Sequence, residues 1–288
     1  MKTVYALGVF DGVHLGHQAL LKACAELAKQ ENCAAGAVTF DTHPDGLISG
    51  KAPTLLCTVE DRKKLIESYG IDQVLILPFD ENLRTQPWQD FLHMLVKKGA
   101  AGFVCGDDFR FGYKGTGNAA LLADFCKEQG IPCAIVPEQT VDGVRISSTY
   151  IRACIEEGRM EEAVRFLGHP YCITGTVIPG RQLGRTIGIP TANIQIPDGL
   201  VIPKFGVYAC KVDNHMAVTN VGTRPTVNGH HVTVEPWILD FEGDLYGREL
   251  QLHFYKFLRP EQKFGSLEEL KAEIEKNAAQ TRKFFEKK

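Results

Sequence analysis

The chain has no Cys-x-x-Cys pair and no cysteine–histidine cluster at zinc-site spacing, although it carries nine cysteines. That excludes zinc fingers and thioredoxin-like redox centres. The cysteines keep mostly apolar company, as Cys24, Cys105 and Cys210 do, which fits buried, reduced thiols in a cytoplasmic protein. Excess positive charge is missing as well: 32 Lys and Arg stand against 35 Asp and Glu, a net charge of −3. A general nucleic-acid binder is strongly basic, so no nucleic acid is expected as a partner. A nucleotide site needs only local charge and stays open. No apolar run approaches the roughly 20 residues that span a bilayer, and no basic stretch leads into an apolar core near residue 1. Neither a membrane nor a secretory address is expected. The Gly-x-x-x-x-Gly-Lys-Ser/Thr phosphate loop and the Gly-x-Ser-x-Gly nucleophile elbow are also absent, as are internal repeats and low-complexity linkers.

What remains is a chain of 288 residues, 44% apolar and 23% charged, enough for one large or two ordinary globular domains. Its first half alternates between β-prone and helix-periodic stretches, from a strand at 3–7 to a strand at 133–136. That alternation predicts an α/β domain with a parallel, helix-covered sheet whose ligand crevice lies beyond the carboxyl ends of the strands. Two helical stretches follow. After Gly168 the pattern changes to short β-rich runs divided by glycine, proline and asparagine turns, Asn228-Gly229 among them, and then a capped amphipathic helix from Ser266 to Glu286. A small β-barrel or sandwich is expected there. The domain boundary is placed near 168, giving domains 1–168 and 169–288.

In the first domain, Gly8 to His17 reads Gly-Val-Phe-Asp-Gly-Val-His-Leu-Gly-His, a glycine-punctuated turn from a strand into a helix. Such a turn aims free N–H groups and the positive end of the helix dipole at a ligand, which suits phosphate. His14 and His17 there can stabilise charge that develops during phosphoryl or nucleotidyl transfer; a pair of helix-capping histidines is the alternative. Gly8 and Gly12 permit close backbone approach. Asp11 is either a turn residue or an orienter of an imidazole. His43-Pro44 follows the second strand. The loop Gly106-Asp107-Asp108-Phe109-Arg110-Phe111-Gly112 suits a planar ligand beside phosphate. Ile146 to Arg152 (Ile-Ser-Ser-Thr-Tyr-Ile-Arg) sets hydroxyls at a helix start and Arg152 one turn in, which reads as an N-cap or as a phosphate clamp.

Together these motifs resemble the FMN adenylyltransferase module of bacterial bifunctional riboflavin kinase/FAD synthetases, over residues 3 to 168. The family's Gly-x-Phe-Asp-Gly-x-His-x-Gly-His, Asp-Phe-Arg-Phe-Gly and Ile-Ser-Ser-Thr-x-Ile-Arg are intact; in Thr-Phe-x-Pro-His-Pro, Thr42 replaces a proline. The resemblance implies ATP and phosphate contacts from Gly8, Phe10, Asp11, Gly16, Ser147, Ser148, Thr149 and Arg152. It implies catalytic His14 and His17, and FMN contacts from His43, Asp108, Phe109 and Arg110.

The second domain has its own signature. Gly175 to Asn193 is dense in glycine and basic residues, and Gly180, Arg181, Gly184 and Arg185 suit phosphate. With Thr191 and Asn193 in a strand, both point to one face as hard oxygen ligands for Mg²⁺. Glu235, facing away from Val232 and Val234, is placed as a general base or as a solvated strand residue. His230 and His231 read as a solvated hairpin tip. From Tyr171 onward the chain resembles the riboflavin kinase module through Gly-Arg-x-x-Gly-x-Pro-Thr-Ala-Asn, Asn-x-Gly-x-Arg-Pro-Thr, Val-Glu-x-x-x-x-Asp-Phe-x-Gly-Asp-Leu-Tyr-Gly and Leu-Arg-x-Glu-x-Lys-Phe. Pro236-Trp237 departs from the family's usual residues after the glutamate. The resemblance implies that Thr191 and Asn193 hold the Mg²⁺ of ATP, that Glu235 is the catalytic base, and that Arg224, Arg259 and Phe264 lie near the flavin.

Two matched modules imply an ATP-dependent enzyme that phosphorylates riboflavin to FMN and then adenylylates FMN to FAD, releasing pyrophosphate. Three rivals stand beside this: a riboflavin kinase with a decayed N-terminal module, a non-catalytic flavin or nucleotide regulator, and another nucleotidyltransferase fused to a barrel. Neither the motifs nor the composition fixes an oligomeric state.

Overall fold

Residues 2–180, 184, 188–226 and 229–286 are described by a computed structural model, with the side chains of 224–231 excepted. They divide into two compact units, residues 1–148 and 149–288. Residues 149–168, the two helices before the β-rich region, group with the second.

In the first unit the strands are β1 (Thr3–Leu7), β2 (Ala34–Phe40), β3 (Gln73–Leu77), β4 (Ala100–Gly106), β5 (Arg110–Phe111), β6 (Gly117–Asn118), β7 (Cys133–Val136), β8 (Thr140–Val141) and β9 (Val144–Arg145). Five of them form a parallel sheet in the order β3-β2-β1-β4-β7; β5–β6 and β8–β9 are two-stranded ribbons. The helices are α1 (Leu15–Gln30), α2 (Pro44–Ile48), α3 (Val59–Ser68), α4 (Glu81–Thr85), α5 (Trp88–Lys97) and α6 (Ala119–Gln129). Every residue of β1 and β2 is buried because both faces of the sheet are covered. Tyr5, Leu7, Val38 and Phe40 pack on one side with α5 and α6. Val4, Ala6, Ala35 and Ala37 pack on the other with Leu21 and Cys24 of α1 and Ile66 of α3.

The second unit takes in α7 (Ser148–Glu157) from Thr149 on, and α8 (Met160–Leu167), which ends on Gly168 in the left-handed region at φ 77°. Its strands are β10 (Tyr171–Ile178), β11 (Asn193–Gln195), β12 (Gly206–Val212), β13 (His215–Thr226), β14 (Gly229–Ile238) and β15 (Glu249–Pro260). They close as a barrel in the order β10-β11-β14-β13-β12-β15. The terminal helix α9 (Leu267–Glu286) follows. Ala278 of that helix packs with Val207, Val218 and Leu239, and Trp237 joins the cluster with Met216 and Leu258. The departure at Trp237 is therefore a packing residue under α9.

The expected alternation and barrel are both present. α1 begins before the end of the Gly8–His17 stretch, at Leu15, so His17 lies in its first turn and His14 is its cap. The ribbons β5–β6 and β8–β9, the short helices α2 and α4, and the three-residue strand β11 fall below the length at which periodicity registers. Among the described residues, no helix is long and apolar enough to cross a membrane. Six cysteines are buried and three half-buried, none in a disulfide.

Candidate active sites

In the first unit the chain leaves β1 through a contorted turn. Phe10, Gly12 and Val13 all take positive φ, at 57°, 76° and 40°. Such angles are costly for non-glycine residues and persist only where the surroundings fix them. Here three contacts fix them. The buried Asp11 carboxylate accepts the Leu56 N–H at 2.8 Å, the Asp11 carbonyl accepts the Ser148 hydroxyl at 3.0 Å, and the Gly12 N–H donates to Cys57 Sγ at 3.2 Å. Asp11 thus braces the turn through Leu56, which favours the turn reading of this residue.

The turn delivers two stacked imidazoles. The rings of His14 and His17 lie 3.6 Å apart at 12°, and Phe10 meets His17 edge-on at 5.2 Å. His14 Nδ1 accepts the His17 N–H at 3.3 Å and caps α1. Capping occupies Nδ1 as an acceptor, so the neutral ring carries its proton on Nε2. Burial first, then the charges of His14 and Arg62, hold His17 well below the ordinary histidine value of 6.5. His17 is neutral at physiological pH, and its buried Nδ1 has no hydrogen-bond partner among the described residues.

Both histidines border a cleft of about 340 Å³ beyond the ends of β1, β4 and β7, together with Gly8, Gly16, Ser147 and Ser148. Phe10 is fully buried and Asp11 2% exposed, so both sit behind the wall of this cleft. Asp108 is in the cleft, ion-paired to Arg145, and Arg145 Nε also meets Glu138 at 2.8 Å. Sequence reasoning did not single out Arg145, which lies in a two-residue strand immediately before the Ile146–Arg152 motif.

A second cavity of about 570 Å³ adjoins the first, walled by Phe40, Phe79, Phe91, Phe109 and Phe111 with His43 at its edge. Phe109 and Phe111 are stacked at 5.5 Å and 19°. His43 Nδ1 accepts the Asp45 N–H at 3.2 Å and caps α2, so replacing the preceding proline by Thr42 leaves His43 on this wall. Val9, Phe109 and Arg110 border both cavities. Arg110 has no ion-pair partner among the described residues, unlike Arg145. An uncommitted guanidinium therefore stands where an aromatic-walled cavity meets a cleft at a helix N-terminus. That junction suits a planar molecule whose phosphate faces a nucleotide. Thr149 and Arg152 are on α7 in the second unit, where Arg152 Nη2 donates to Thr149 Oγ1 at 3.3 Å.

In the second unit the barrel register builds the site. Ile194 pairs with Val234, and the Ala192 N–H donates to the Pro236 carbonyl at 2.9 Å. That register sets Asn193 opposite Glu235, and Asn220 pairs with Glu235 from the other side. Opposed residues in antiparallel strands share a face. Asn193, Glu235 and Asn220 thus form a polar row across three strands, while Ile194, Val234 and Val221 on the other face are buried. Only Asn193 of the expected metal pair lies within β11. Thr191 precedes it and borders a cavity of about 330 Å³ with Pro190, Phe241, Asp244 and Tyr246. A methyl group on Gly180 would collide with the Asn193 amide, and one on Gly184 with the Ile189 carbonyl. Gly180 thus packs directly on Asn193, and Gly184 on Ile189 and beside the Thr191 hydroxyl. Glu261 lays its carboxylate against Gly222, two residues beyond Asn220. It stands inside the Leu-Arg-x-Glu motif, the signal that sequence reasoning passed over. Arg259 donates from Nε to Asn277 Oδ1 at 3.1 Å, meets Glu273 at 3.5 Å, and covers the Phe264 ring at 5.6 Å. Arg181 and Arg185 lie outside the described residues, and Arg224 is described only as a backbone position of β13 opposite His231.

Among the described residues, no three His, Cys, Asp or Glu side chains cluster as a metal cage. The amide and hydroxyl oxygens of Asn193 and Thr191 are hard donors. They fit a Mg²⁺ ion that takes most of its ligands from nucleotide phosphates and water.

Known proteins match both units. A family model described as FAD synthetase covers residues 1–150, and one described as riboflavin kinase covers 167–285. A bifunctional riboflavin kinase/FMN adenylyltransferase of Listeria monocytogenes is 39% identical over 292 residues, 99% of this chain and 93% of that protein. The protein of the same description from Escherichia coli K12 is 39% identical over 290 residues, 98% and 92% of the two chains. A solved Streptococcus pneumoniae structure, described as a macrolide-efflux protein, matches with TM-score 0.89 at 29% identity, over 98% of this chain and 94% of that one. On these matches across both units, the chain belongs to the bifunctional riboflavin kinase/FMN adenylyltransferase family.

Proposed function

We infer that this chain makes FAD in two ATP-dependent steps, one in each unit. The barrel unit phosphorylates the ribityl 5′-hydroxyl of riboflavin to give FMN and ADP. The parallel-sheet unit joins FMN to the adenylyl group of ATP and releases pyrophosphate. The observation that carries the second step is the pair of adjoining cavities that share Arg110.

In the kinase step Glu235 accepts the proton of the ribityl hydroxyl as its oxygen attacks the γ-phosphorus in line with the departing ADP. Asn193 and Thr191 would hold Mg²⁺, which supplies charge neutralisation to the phosphates when bound. The polar row across β11, β14 and β13 supports this assignment, since it sets an amide beside the carboxylate. Gly180, Arg181, Gly184 and Arg185 take the phosphates, and Arg224, Arg259 and Phe264 the flavin. In the adenylyl step an FMN phosphate oxygen attacks the α-phosphorus. That oxygen is already ionised, so positioning and charge stabilisation suffice. The Nε2–H of His14, the first turn of α1 and the Arg110 guanidinium supply donors, and His43 and the Phe109–Phe111 stack hold the isoalloxazine ring. The functional division falls near Gly168, and nine free thiols with ATP as substrate favour the cytoplasm.

Incubation with riboflavin, ATP and Mg²⁺, followed by chromatography of the flavins, tests the reading. FMN and then FAD are expected. FMN alone would support a decayed first module, and unchanged riboflavin a non-catalytic binder.

A further inference from the structure

Arg62 belongs to none of the motifs discussed above. It sits on α3 at 2% exposure. Its Nη1 donates to the Val9 carbonyl at 2.9 Å and its Nη2 to the Phe40 carbonyl at 2.6 Å. Thr39 Oγ1 adds a second donor to Val9 O at 2.7 Å. Val9 follows β1 and Phe40 ends β2, so one planar fork joins the exits of two neighbouring strands. One exit leads to His14 and His17, the other to His43. Val9 itself borders both cavities. Arg62 forms no ion pair among the described residues, and its Nε is buried without a partner. Burying an unpaired guanidinium is costly. Tying down two carbonyls does not by itself require a charge.

We propose that Arg62 is a positioning residue of the adenylyl-transfer centre: its fork fixes the spacing of the two ligand-bearing loops, and its uncompensated charge lies behind the turn that carries His14 and His17. The assignment rests on the adenylyltransferase reading of that site. The charge is felt at His17, where Arg62 joins burial and His14 in holding the imidazole neutral. Other groups face the same region. His14 and Phe10 flank His17, and Asp107, Asp108, Arg110, Glu138 and Arg145 line the cleft. Arg145 is taken up by Asp108 and Glu138. Near Arg62, the Asp11 carboxylate is bound to the Leu56 N–H and that of Asp61 to Thr58. Neutral His17 keeps its first-turn position beside the phosphates without an acid-dependent charge, and Arg62 supplies a permanent one.

The test compares the full-length protein with Arg62→Met and Arg62→Lys. Four quantities are followed: FMN formation from riboflavin, FAD formation from supplied FMN, the pH profile of the latter, and the NMR titration of the His17 imidazole. Arg62→Met should lower FAD formation on the order of 100-fold, leave FMN formation unchanged, and move the His17 midpoint and the acid limb of the profile to higher pH. Arg62→Lys keeps the charge but bonds one carbonyl, so FAD formation should fall about tenfold with the His17 midpoint near that of the parent. The proposal is overturned if Arg62→Met folds with FAD formation within about twofold of the parent, if its His17 midpoint stays put, or if both activities fall together. Should Arg62→Met not fold, Arg62→Lys decides: parent-like FAD formation overturns the proposal, and a selective loss supports it. A parent protein that forms no FAD counts against the functional reading instead, and the His17 titrations then decide for Arg62.

Discussion

The His14 imidazole does two things to His17: its Nδ1 accepts the His17 N–H at 3.3 Å, and its ring stacks on the His17 ring at 3.6 Å. The capping and the chemical readings of the pair are therefore one arrangement. The cap at Nδ1 leaves Nε2–H as the donor of His14, while burial, and then the charges of His14 and Arg62, keep His17 neutral. A helix start, whose free N–H groups already favour anions, thus gains the His14 Nε2–H as a donor beside a neutral His17.

His17→Ala should lower FAD formation from FMN by about 100- to 1000-fold, the usual effect of removing one preorganised group from a transferring phosphoryl centre. FMN formation from riboflavin should be unaffected. Rates of the two half-reactions, each started from its own flavin, check this. Loss of both activities in a folded variant would contradict separate sites.

The same histidine should leave a mark on stability. Folded His17 titrates well below 6.5, whereas the unfolded chain takes up a proton near that value. Between the two, the unfolded state holds more protons, so stability rises with pH and falls on acidification below about 6.5. Urea unfolding at about pH 7.5 and about pH 5.5 should show a smaller drop in midpoint for His17→Gln than for the parent.

Glu235→Gln should reduce FMN formation by about 100- to 10,000-fold, since an amide cannot accept the ribityl proton. FAD formation from supplied FMN should persist. Asn193 and Asn220 flank Glu235 in the register, and Gln keeps the side chain's size, so the variant should remain folded, which thermal unfolding checks.

Gly180→Ala should act through Asn193. The added methyl group meets the Asn193 amide, and relief requires that amide to move. Kinase activity should need about 10- to 100-fold more Mg²⁺, in line with the loss of orientation at a metal ligand. A Mg²⁺ titration of FMN formation reads this directly, and FAD formation from FMN is the internal control.

Trp237→Ala should destabilise the barrel unit by about 3 kcal/mol. Trp237 joins Met216 and Leu258 in the cluster that receives Ala278 of α9. Thermal unfolding should show the loss, and the kinase should stay active below the transition.

Much of this was legible in the residues themselves. β1 and β2 read as strands because both of their faces are apolar, and the crevice position follows from a parallel sheet. The paired histidines were visible because Gly8 to His17 joins a strand to a helix. Long-range geometry was not. Asp11 reads equally well as a turn residue or an imidazole orienter until Leu56, 45 positions away, is found on its carboxylate. Arg62 sits in ordinary helix sequence and nothing local sets it apart, while Arg145 adjoins the Ile146–Arg152 motif but is read there only as its flank.

The sequence alone determined the two-module order, the strand–turn–helix at His14 and His17, and the alternation that turns Glu235 away from Val232 and Val234. These depend on neighbours a few residues apart, where covalent geometry and side-chain period suffice. Only the tertiary structure decided that Asn193 faces Glu235, that Arg110 stands between two cavities, and that one buried guanidinium joins the ends of β1 and β2. Each of these depends on strand register and packing, which bring together residues far apart in the chain.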